Sequence, residues 1–268
     1  MSVSNYSTRS VPFEFPLEVG LGNVPGYSSI NKFGRAPAGL QTTATDVWDR
    51  ADATPTQQIW VAPTQARTHD IVSTSTSDDG DPAGVGARTV KIYGLTGWGA
   101  AEVNETITLN GTTNVPTANA YVIIHRMKVL TKGATNVNVG TISATAQTDS
   151  SVTAIIRPGL GQTEMAIYGV PSTQKLCIAL IYASILKSGG AAASADMGLE
   201  VNPEPDAELT NFITKHTFAA VKDGSSAVEH RFGVPKVVEG PAIIKIQGLA
   251  SAADLDVSAG FDAYLVNN

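Results

Sequence analysis

The sequence predicts an all-β protein, an antiparallel β-sandwich of the jelly-roll kind with an extended, irregular arm at its N-terminus. Apolar and polar residues alternate with a period of two in many short runs, as they do in strands with one buried face. Turn residues separate these runs at intervals of roughly 8–12 residues, the spacing typical of sandwiches and barrels. No run in the 268 residues has the apolar period of a long amphipathic helix.

The chain divides into an N-terminal arm, residues 1–50, and a β-sandwich domain, residues 51–268. Two smaller sandwiches meeting near residue 150 are the alternative. In the arm, prolines and glycines recur at close intervals among large apolar residues without period, such as Phe13, Tyr27 and Trp48. The segment is too apolar for a disordered tail and too interrupted for regular elements. We expect it to lie along its own sandwich or along a neighbouring subunit.

The first half of the sandwich domain contains two short strands and a meander. Strands are predicted at 57–63, closed by Pro63, and at 69–74. A meander of antiparallel strands follows from Gly86 to Ala146, and Asn110-Gly111 within it is a strong hairpin signal. The run from Tyr121 to Met127 is apolar on both faces, which predicts a central strand buried on both sides.

The second half continues with short strands. They are predicted at 152–157, 163–170, 176–187, 196–201, 209–221, 228–234, 241–247 and 255–265. The threonine and phenylalanine content of 209–221 favours a strand over a helix. The last run alternates most strictly, which predicts a half-buried antiparallel strand from Leu255 to Leu265.

The composition bounds the classes of function. Charged residues make up 16% of the chain, against roughly 25% in ordinary soluble domains. A surface with few long charged side chains costs less entropy to bury in permanent contacts, which favours an assembly subunit; a secreted β protein is the alternative. The net charge is −6, and no basic stripe is interleaved with aromatics, so direct nucleic-acid binding is disfavoured.

Cysteine use and hydropathy indicate where the protein is made. The single cysteine, Cys177, lies in an apolar run and is predicted to be a buried, inert thiol. The first residues lack the charged start and apolar segment of an export signal. The longest apolar run, residues 176–186, is shorter than the roughly 20 residues that cross a bilayer. We therefore expect synthesis in the cytoplasm and no membrane partner.

No catalytic residue, cofactor or metal site is predicted. The acidic loop from Asp78 to Asp81 is a candidate for calcium, but no glutamate stands at the twelfth position of a calcium loop, and a solvated turn is favoured. His125 is predicted to be a hydrogen-bonded interior or interface histidine rather than a metal ligand. Glu102 and Glu105 are candidates for a glycosidase pair, although their spacing is typical of solvated strand positions.

Other motifs are incomplete. The four histidines are His69, His125, His216 and His230, and none lies in an HExxH sequence. The glycines at 20 and 22 lack the third glycine of a dinucleotide loop, and the segment Gly161-Gln162-Thr163 lacks the Lys-Ser/Thr pair of a phosphate loop.

A set of turn and core segments between about residues 55 and 147 forms a pattern of its own. The segments are Ser73-Thr74-Ser75, an acidic glycine-rich loop, Gly86-Ala87-Arg88-Thr89-Val90, Gly94-Leu95, Glu105-Thr106-Ile107-Thr108-Leu109-Asn110-Gly111-Thr112-Thr113 and Gly140-Thr141-Ile142. This pattern, over roughly a third of the chain, resembles virion structural proteins of tailed bacteriophages, especially marine ones. The resemblance implies a place on the outside of the virion and a homo-oligomer, with a trimer favoured. It transfers no catalytic residue.

Two hypotheses of function follow from the resemblance. The first is a non-enzymatic capsid decoration (cement) protein on the outer capsid surface, made in the host cytoplasm, with the major capsid protein or other virion proteins as partners. The alternative is a head-fibre or tail-associated module that binds a receptor or glycan, at a shallow site rimmed by aromatics such as Trp98, Tyr93 or Tyr264. A major shell subunit and an enzyme rank below both.

Overall fold

Strands dominate the part of the chain that the computed structural model describes, residues 14–49, 58–185, 194–221, 227–252 and 255–268. All pairings between these strands are antiparallel. In chain order the elements are α1 (Phe15–Gly20), β1 (Tyr27–Leu40), β2 (Thr45–Asp46), β3 (His69–Ser73), β4 (Ala87–Leu95), β5 (Val103–Thr108), β6 (Val115–Pro116), β7 (Ile123–Lys132), β8 (Ile142–Ala146), β9 (Val152–Ile156), β10 (Ile167–Val170), β11 (Gln174–Ile185), β12 (Ser194–Asn202), β13 (Ile213–Val221), β14 (Ala227–Glu239), β15 (Ala242–Ala250) and β16 (Leu255–Asn267).

Two sheets are formed by β1 and the second half of the chain. The first sheet has the order β1-β16-β11-β14, and the second has the order β10-β15-β12-β13, with β2 also paired to β15. Side chains from both sheets meet in one apolar cluster, the first core, which contains Leu40, Ile181, Leu199, Ile246 and Phe261. The prediction that β16 is a half-buried strand is confirmed, because its odd-numbered apolar residues from Leu255 to Leu265 are buried.

The other two sheets are formed by the segment between β2 and β10. The third sheet has the order β6-β3-β8-β9, and the fourth has the order β5-β4-β7. Their apolar residues, among them Ile71, Ile92, Met127 and Ile142, form a second core. Ile167 and Ile243 of the second sheet also belong to it, so the two cores meet there.

The segment that carries the third and fourth sheets leaves and rejoins the other two sheets at neighbouring positions. The backbone N–H of Ala166 donates to the carbonyl of Val47 over 2.9 Å. Gly34 of β1 lies against this contact, where a Cβ atom would come within 2.6 Å of both backbones. Only glycine permits so close an approach at this position. Residues between Trp48 and Met165 thus form an insertion whose two ends are adjacent.

The prediction of an irregular arm over residues 1–50 is wrong for residues 27–40. These residues are strand β1, which pairs with β16 from Tyr27 to Leu40. The sequence hid this strand because Pro37 and Gly39 lie near its end, where the register with β16 shifts. Residues 1–13 lie outside the described residues. Trp48, also assigned to the arm, is buried in the second core.

Three other local predictions need correction. Residues 58–63 are not a strand; Trp60 is nevertheless buried, and its indole N–H donates to the Thr153 carbonyl over 2.8 Å. Asn110-Gly111 forms a turn but not a hairpin, because β6 pairs with β3 instead of β5. The run from Tyr121 to Met127 is buried, but β7 lies at one edge of its sheet and β4 is central.

Predicted strands in the second half of the chain are confirmed with changed ends. The segment 209–221 is a strand from Ile213 onward, and the run at 228–234 continues through Pro235 to Glu239. Proline is tolerated there because β14 is an edge strand of the first sheet. The meeting of two sandwiches near residue 150 stays a prediction, as does the boundary at residue 51.

Candidate functional site

A cleft of about 490 Å³ lies between β1 of the first sheet and β7 of the fourth sheet; we call it the junction cleft. It is lined by Ser28, Ser29, Ile30, Asn31, Lys32, Tyr93, Ala101, Glu102, His125, Arg126, Tyr168, Gln174 and Leu265. Its residues therefore come from both sides of the boundary between the two cores. The cleft brings together six ionisable side chains, those of Lys32, Tyr93, Glu102, His125, Arg126 and Tyr168.

His125 is the most enclosed of these groups. Its Nε2 lies 2.7 Å from Oε2 of Glu102, and its ring centroid lies 4.6 Å from that of Tyr168. Burial lowers the pKa of His125, although the bond to Glu102 opposes this shift. Burial alone would raise the pKa of Glu102, but the hydrogen bond with His125 and the nearby cations hold it below its usual value. The pair is thus a neutral imidazole beside a carboxylate. The prediction of a hydrogen-bonded interior histidine is confirmed.

Lys32 reaches the same place from β1. Its ammonium group donates a hydrogen bond to the backbone carbonyl of His125. Burial, with a smaller contribution from the charge of Arg126, lowers the pKa of Lys32 to about 7, and the charge of Glu102 acts in the opposite sense. Lys32 therefore changes its protonation state near neutral pH. Sequence reasoning missed this residue because it assigned the segment to an irregular arm.

In the junction cleft, polar and charged side chains connect the first sheet to the fourth sheet. In the described part of the chain, no hydroxyl or thiol is hydrogen-bonded to the imidazole of His125. The Nδ1 atom of His125 is buried without a hydrogen-bond partner among the described residues. Glu105, the other sequence candidate, accepts hydrogen bonds from the Tyr121 hydroxyl and from the backbone N–H groups of Ala118 and Asn119. It therefore holds the loop before β7 in place.

Two smaller clefts adjoin the junction cleft and share Arg126 with it. One, of about 310 Å³, is lined by Ser29, Asn31, Lys32, Phe33, Arg126, Gln162 and Thr163. The next, of about 430 Å³, is lined by Arg126, Lys128, Val129, Lys132, Asn136, Val137, Leu160, Gly161 and Gln162. We call these two clefts together the basic groove. One wall is β7 and the other is the loop from Leu160 to Thr163, which is held against it by a hydrogen bond from the Val129 N–H to the Gly161 carbonyl.

The acidic loop at residues 78–81 has a structural role. Asp78 is fully buried, so the prediction of a solvated turn is wrong for this residue. Its carboxylate accepts hydrogen bonds from the Ser73 hydroxyl and from the backbone N–H groups of Ala87, Val139 and Gly140. These donors satisfy its oxygens and join three separated segments. Among the described residues, no group of three or more His, Cys, Asp or Glu side chains is placed to hold a metal ion.

The remaining histidines lie apart from the junction cleft. His69 is buried in β3, and burial lowers its pKa to about 4. His216 of β13 and His230 of β14 stack on each other with ring centroids 4.6 Å apart, at the edges of the second and first sheets. Cys177, predicted to be buried, is only partly buried, and burial raises the pKa of its thiol.

The three aromatics proposed for a glycan site have different environments. Tyr93 lines the junction cleft. Trp98 packs against the second core, and the ring of Tyr264 is covered by Phe15 of α1, with centroids 5.3 Å apart. Of the three, Tyr93 is thus the one that lines the junction cleft.

Comparisons with known proteins do not assign this chain to a family. No family model matches the sequence, and no curated protein matches it significantly. Solved structures of infectious bursal disease virus were matched over 91% of this chain. They are the VP2 subviral particle (11% identity, 73% of that chain, TM-score 0.21), the T=1 particles (10%, 70%, 0.23) and the Gx strain (12%, 70%, 0.19). TM-scores this low do not establish a shared fold.

The described part of the chain contains no helix long and apolar enough to span a membrane.

Proposed function

We propose that this chain is a non-enzymatic structural protein of a tailed-phage virion, a capsid decoration protein that stabilises the shell through extensive subunit contacts. The observation that carries the proposal is the pairing of eight of the nine strands in the first and second sheets, with the two-residue strand β2 left aside. Numbered in chain order, the first pairs with the eighth (β1–β16), the second with the seventh (β10–β15), the third with the sixth (β11–β14) and the fourth with the fifth (β12–β13).

We interpret these nested pairs, wrapped into two facing sheets, as a jelly roll. Jelly rolls contain two Greek keys in eight strands and serve in viral capsids, lectins and cupins. The insertion between β2 and β10 lies in the connection from the first strand, β1, to the second strand, β10. The sequence resemblance to virion proteins selects the capsid class among these uses.

The exposed edge strands support a role in assembly. Val234 of β14 is 82% exposed and Val237 is 56% exposed, and Ile213 and Val221 of the neighbouring edge strand β13 are also exposed. Apolar side chains along two sheet edges favour contacts with another protein. We propose that these edges contact neighbouring copies of the chain, with a trimer favoured. We also propose that the chain binds the major capsid protein on the outer surface of the shell.

The proposal is tested by cryo-electron microscopy of particles that contain this chain. Copies at every lattice position on the outer surface would support a decoration role. Copies confined to a vertex or to the tail would overturn it in favour of a fibre or tail component.

A truncation tests the part of the arm that remains a candidate clamp. Deleting residues 2–13 leaves every described element in the chain, and circular dichroism and the midpoint of thermal unfolding check that the truncated protein is folded. We expect the truncated protein to lose capsid binding in a co-sedimentation assay. Full occupancy by the truncated protein would show that these residues do not clamp the shell. A longer truncation, of residues 2–22, also removes α1, and its capsid binding is compared with that of the shorter truncation.

The second candidate function is a receptor- or glycan-binding module of a head fibre or tail. The position of Tyr93 in the junction cleft favours it, since an aromatic ring beside polar side chains suits a sugar. The lattice position seen by microscopy separates the two candidates.

A further inference from the structure

The basic groove reverses the sign of charge that prevails over the rest of the molecule. Arg126, Lys128 and Lys132 line one cleft of this groove, and no carboxylate is among its lining residues. Arg126 and Lys128 are two positions apart on β7 and both are exposed, so they project from the same face of the strand. Lys91 of β4 is the direct partner of Lys128. These cations lie on a chain whose net charge is −6.

None of the four cations forms an ion pair with another described residue. The ion pairs of the described chain involve Arg35, Arg67, His125, Arg157, Lys175, Arg231 and Lys245. Arg126 instead donates to the side-chain amide of Gln162 over 3.1 Å. Glu102 lies close enough for the charge of Arg126 to affect it, but its carboxylate is bonded to His125. The positive charge of these four side chains is therefore not neutralised by an ion pair within the described chain.

Tyr93 places an aromatic ring in the junction cleft, which adjoins this groove and shares Arg126 with it. Lys91 Nζ lies 5.3 Å from its ring centroid, and the guanidinium carbon of Arg126 lies 5.8 Å from it. The two cations hold the ring in place by interaction with its π face. Tyr93 is the direct strand partner of Arg126, so ring and guanidinium occupy one face of the sheet.

We propose that the basic groove, with Tyr93, binds a carboxylated polysaccharide. The guanidinium of Arg126 and the ammonium groups of Lys128 and Lys132 suit carboxylates spaced along a polymer. The side-chain amides of Asn31, Asn136 and Gln162 suit the sugar hydroxyls, since each can both donate and accept hydrogen bonds. The ring of Tyr93 packs on the apolar face of a sugar. This inference names the ligand class of the glycan-binding candidate and does not depend on the decoration role.

A polysaccharide fits these observations better than a nucleic acid. Proteins that bind single strands stack successive bases on several aromatic rings, whereas the groove offers the partly buried Phe33 and the adjoining junction cleft offers Tyr93. The negative charge of the whole chain also opposes a polymer as densely charged as DNA.

The test is isothermal titration calorimetry of the full chain with polygalacturonate fragments at low salt. We expect the double variant Lys128→Glu/Lys132→Glu to bind at least about tenfold more weakly, as the loss of charge-assisted contacts implies. Lys215→Glu/Lys236→Glu is the charge-matched control, because these are exposed lysines of β13 and β14, and neither lines the groove. We expect it to change the affinity less than about twofold. Equal weakening by the control, or no binding by the wild type, would overturn the proposal.

A variant without the Tyr93 ring distinguishes binding of an acidic sugar polymer from binding of other polyanions. Tyr93→Ala keeps every charge, so we expect it to weaken binding of polygalacturonate while leaving any binding of poly-glutamate, which has no ring to pack on Tyr93, unchanged. Single-stranded DNA is titrated with the wild type for comparison. Tighter binding of either of these polymers than of polygalacturonate would assign the groove to an acidic protein or a nucleic acid instead. Because the assay uses no particles, its failure leaves the decoration role to be judged by microscopy.

Discussion

Lys32 shows how one buried side chain between two sheets makes the free energy of unfolding depend on pH. Its ammonium group has a hydrogen-bond acceptor, the His125 carbonyl, but no carboxylate within bonding distance among the described residues. Burial therefore lowers its pKa to about 7 from an ordinary value near 10.5. The folded state binds fewer protons than the unfolded state between these two values. The resulting destabilisation is absent above about pH 10.5, and it grows as the pH falls toward 7.

The first prediction compares Lys32→Met with the wild type in urea unfolding at pH 7, 8 and 9. We expect the free energy of unfolding of the wild type to rise relative to that of the variant by up to about 1.4 kcal/mol per pH unit. Lys215→Met, which removes an exposed lysine, is the control and should leave the pH dependence unchanged. Parallel curves for the wild type and Lys32→Met would show that Lys32 stays protonated in the folded protein.

At the scale of the element, the two-residue strand β2 is held to β15 by side chains more than by its own short ladder. Asp46 of β2 accepts hydrogen bonds of 2.8 Å from the ammonium of Lys245, the amide of Gln247 and the backbone N–H of Trp60. The ammonium of Lys245 also lies 4.2 Å from the ring centroid of Phe212. This ion pair is almost without solvent contact, at 0% exposure for Asp46 and 3% for Lys245.

The second prediction follows from that burial. Asp46→Ala leaves a buried ammonium without its counter-charge, so we expect a loss of about 3–5 kcal/mol in the free energy of unfolding. The exposed pair of Lys175 and Glu239 gives the comparison, since Glu239→Ala should cost no more than about 1 kcal/mol. Both are measured by urea denaturation at pH 7. A loss for Asp46→Ala as small as that for Glu239→Ala would mean that water reaches the pair.

At the scale of the whole molecule, the insertion between β2 and β10 sets the relation between the two cores. Its ends meet at the hydrogen bond between Ala166 and Val47, so its removal need not pull the first and second sheets apart. Its removal would, however, expose Trp48, Ile167 and Ile243, which are buried in the second core.

The third prediction is that the eight-strand unit folds without the insertion. Replacing residues 50–163 with a short Gly-Ser linker should preserve a β-type circular dichroism spectrum and a cooperative thermal transition. The midpoint should fall, because three large apolar side chains become exposed. Adding Ile243→Thr, which lowers the exposed apolar area, should reduce aggregation of this variant. The absence of any cooperative transition in both proteins would show that the two cores fold only together.

The sequence by itself determined the class of the fold and many of its elements. Strict alternation identified β16, and the threonine and phenylalanine content identified β13, because a period of two is a local property of a strand with one buried face. It also identified His125 as a hydrogen-bonded interior residue. The proposed virion role depends on the sequence resemblance together with the strand pairing.

Only the tertiary structure decided which strands pair and which charges meet. The proline and glycine of β1 mask its strand pattern in the sequence, yet pairing with β16 over most of its length stabilises it as a strand. Lys32 and His125 are 93 positions apart, and Lys91 and Lys128 are brought together only by the pairing of β4 with β7. Contacts between distant segments depend on register and packing across the whole chain, so no local pattern encodes the junction cleft or the basic groove.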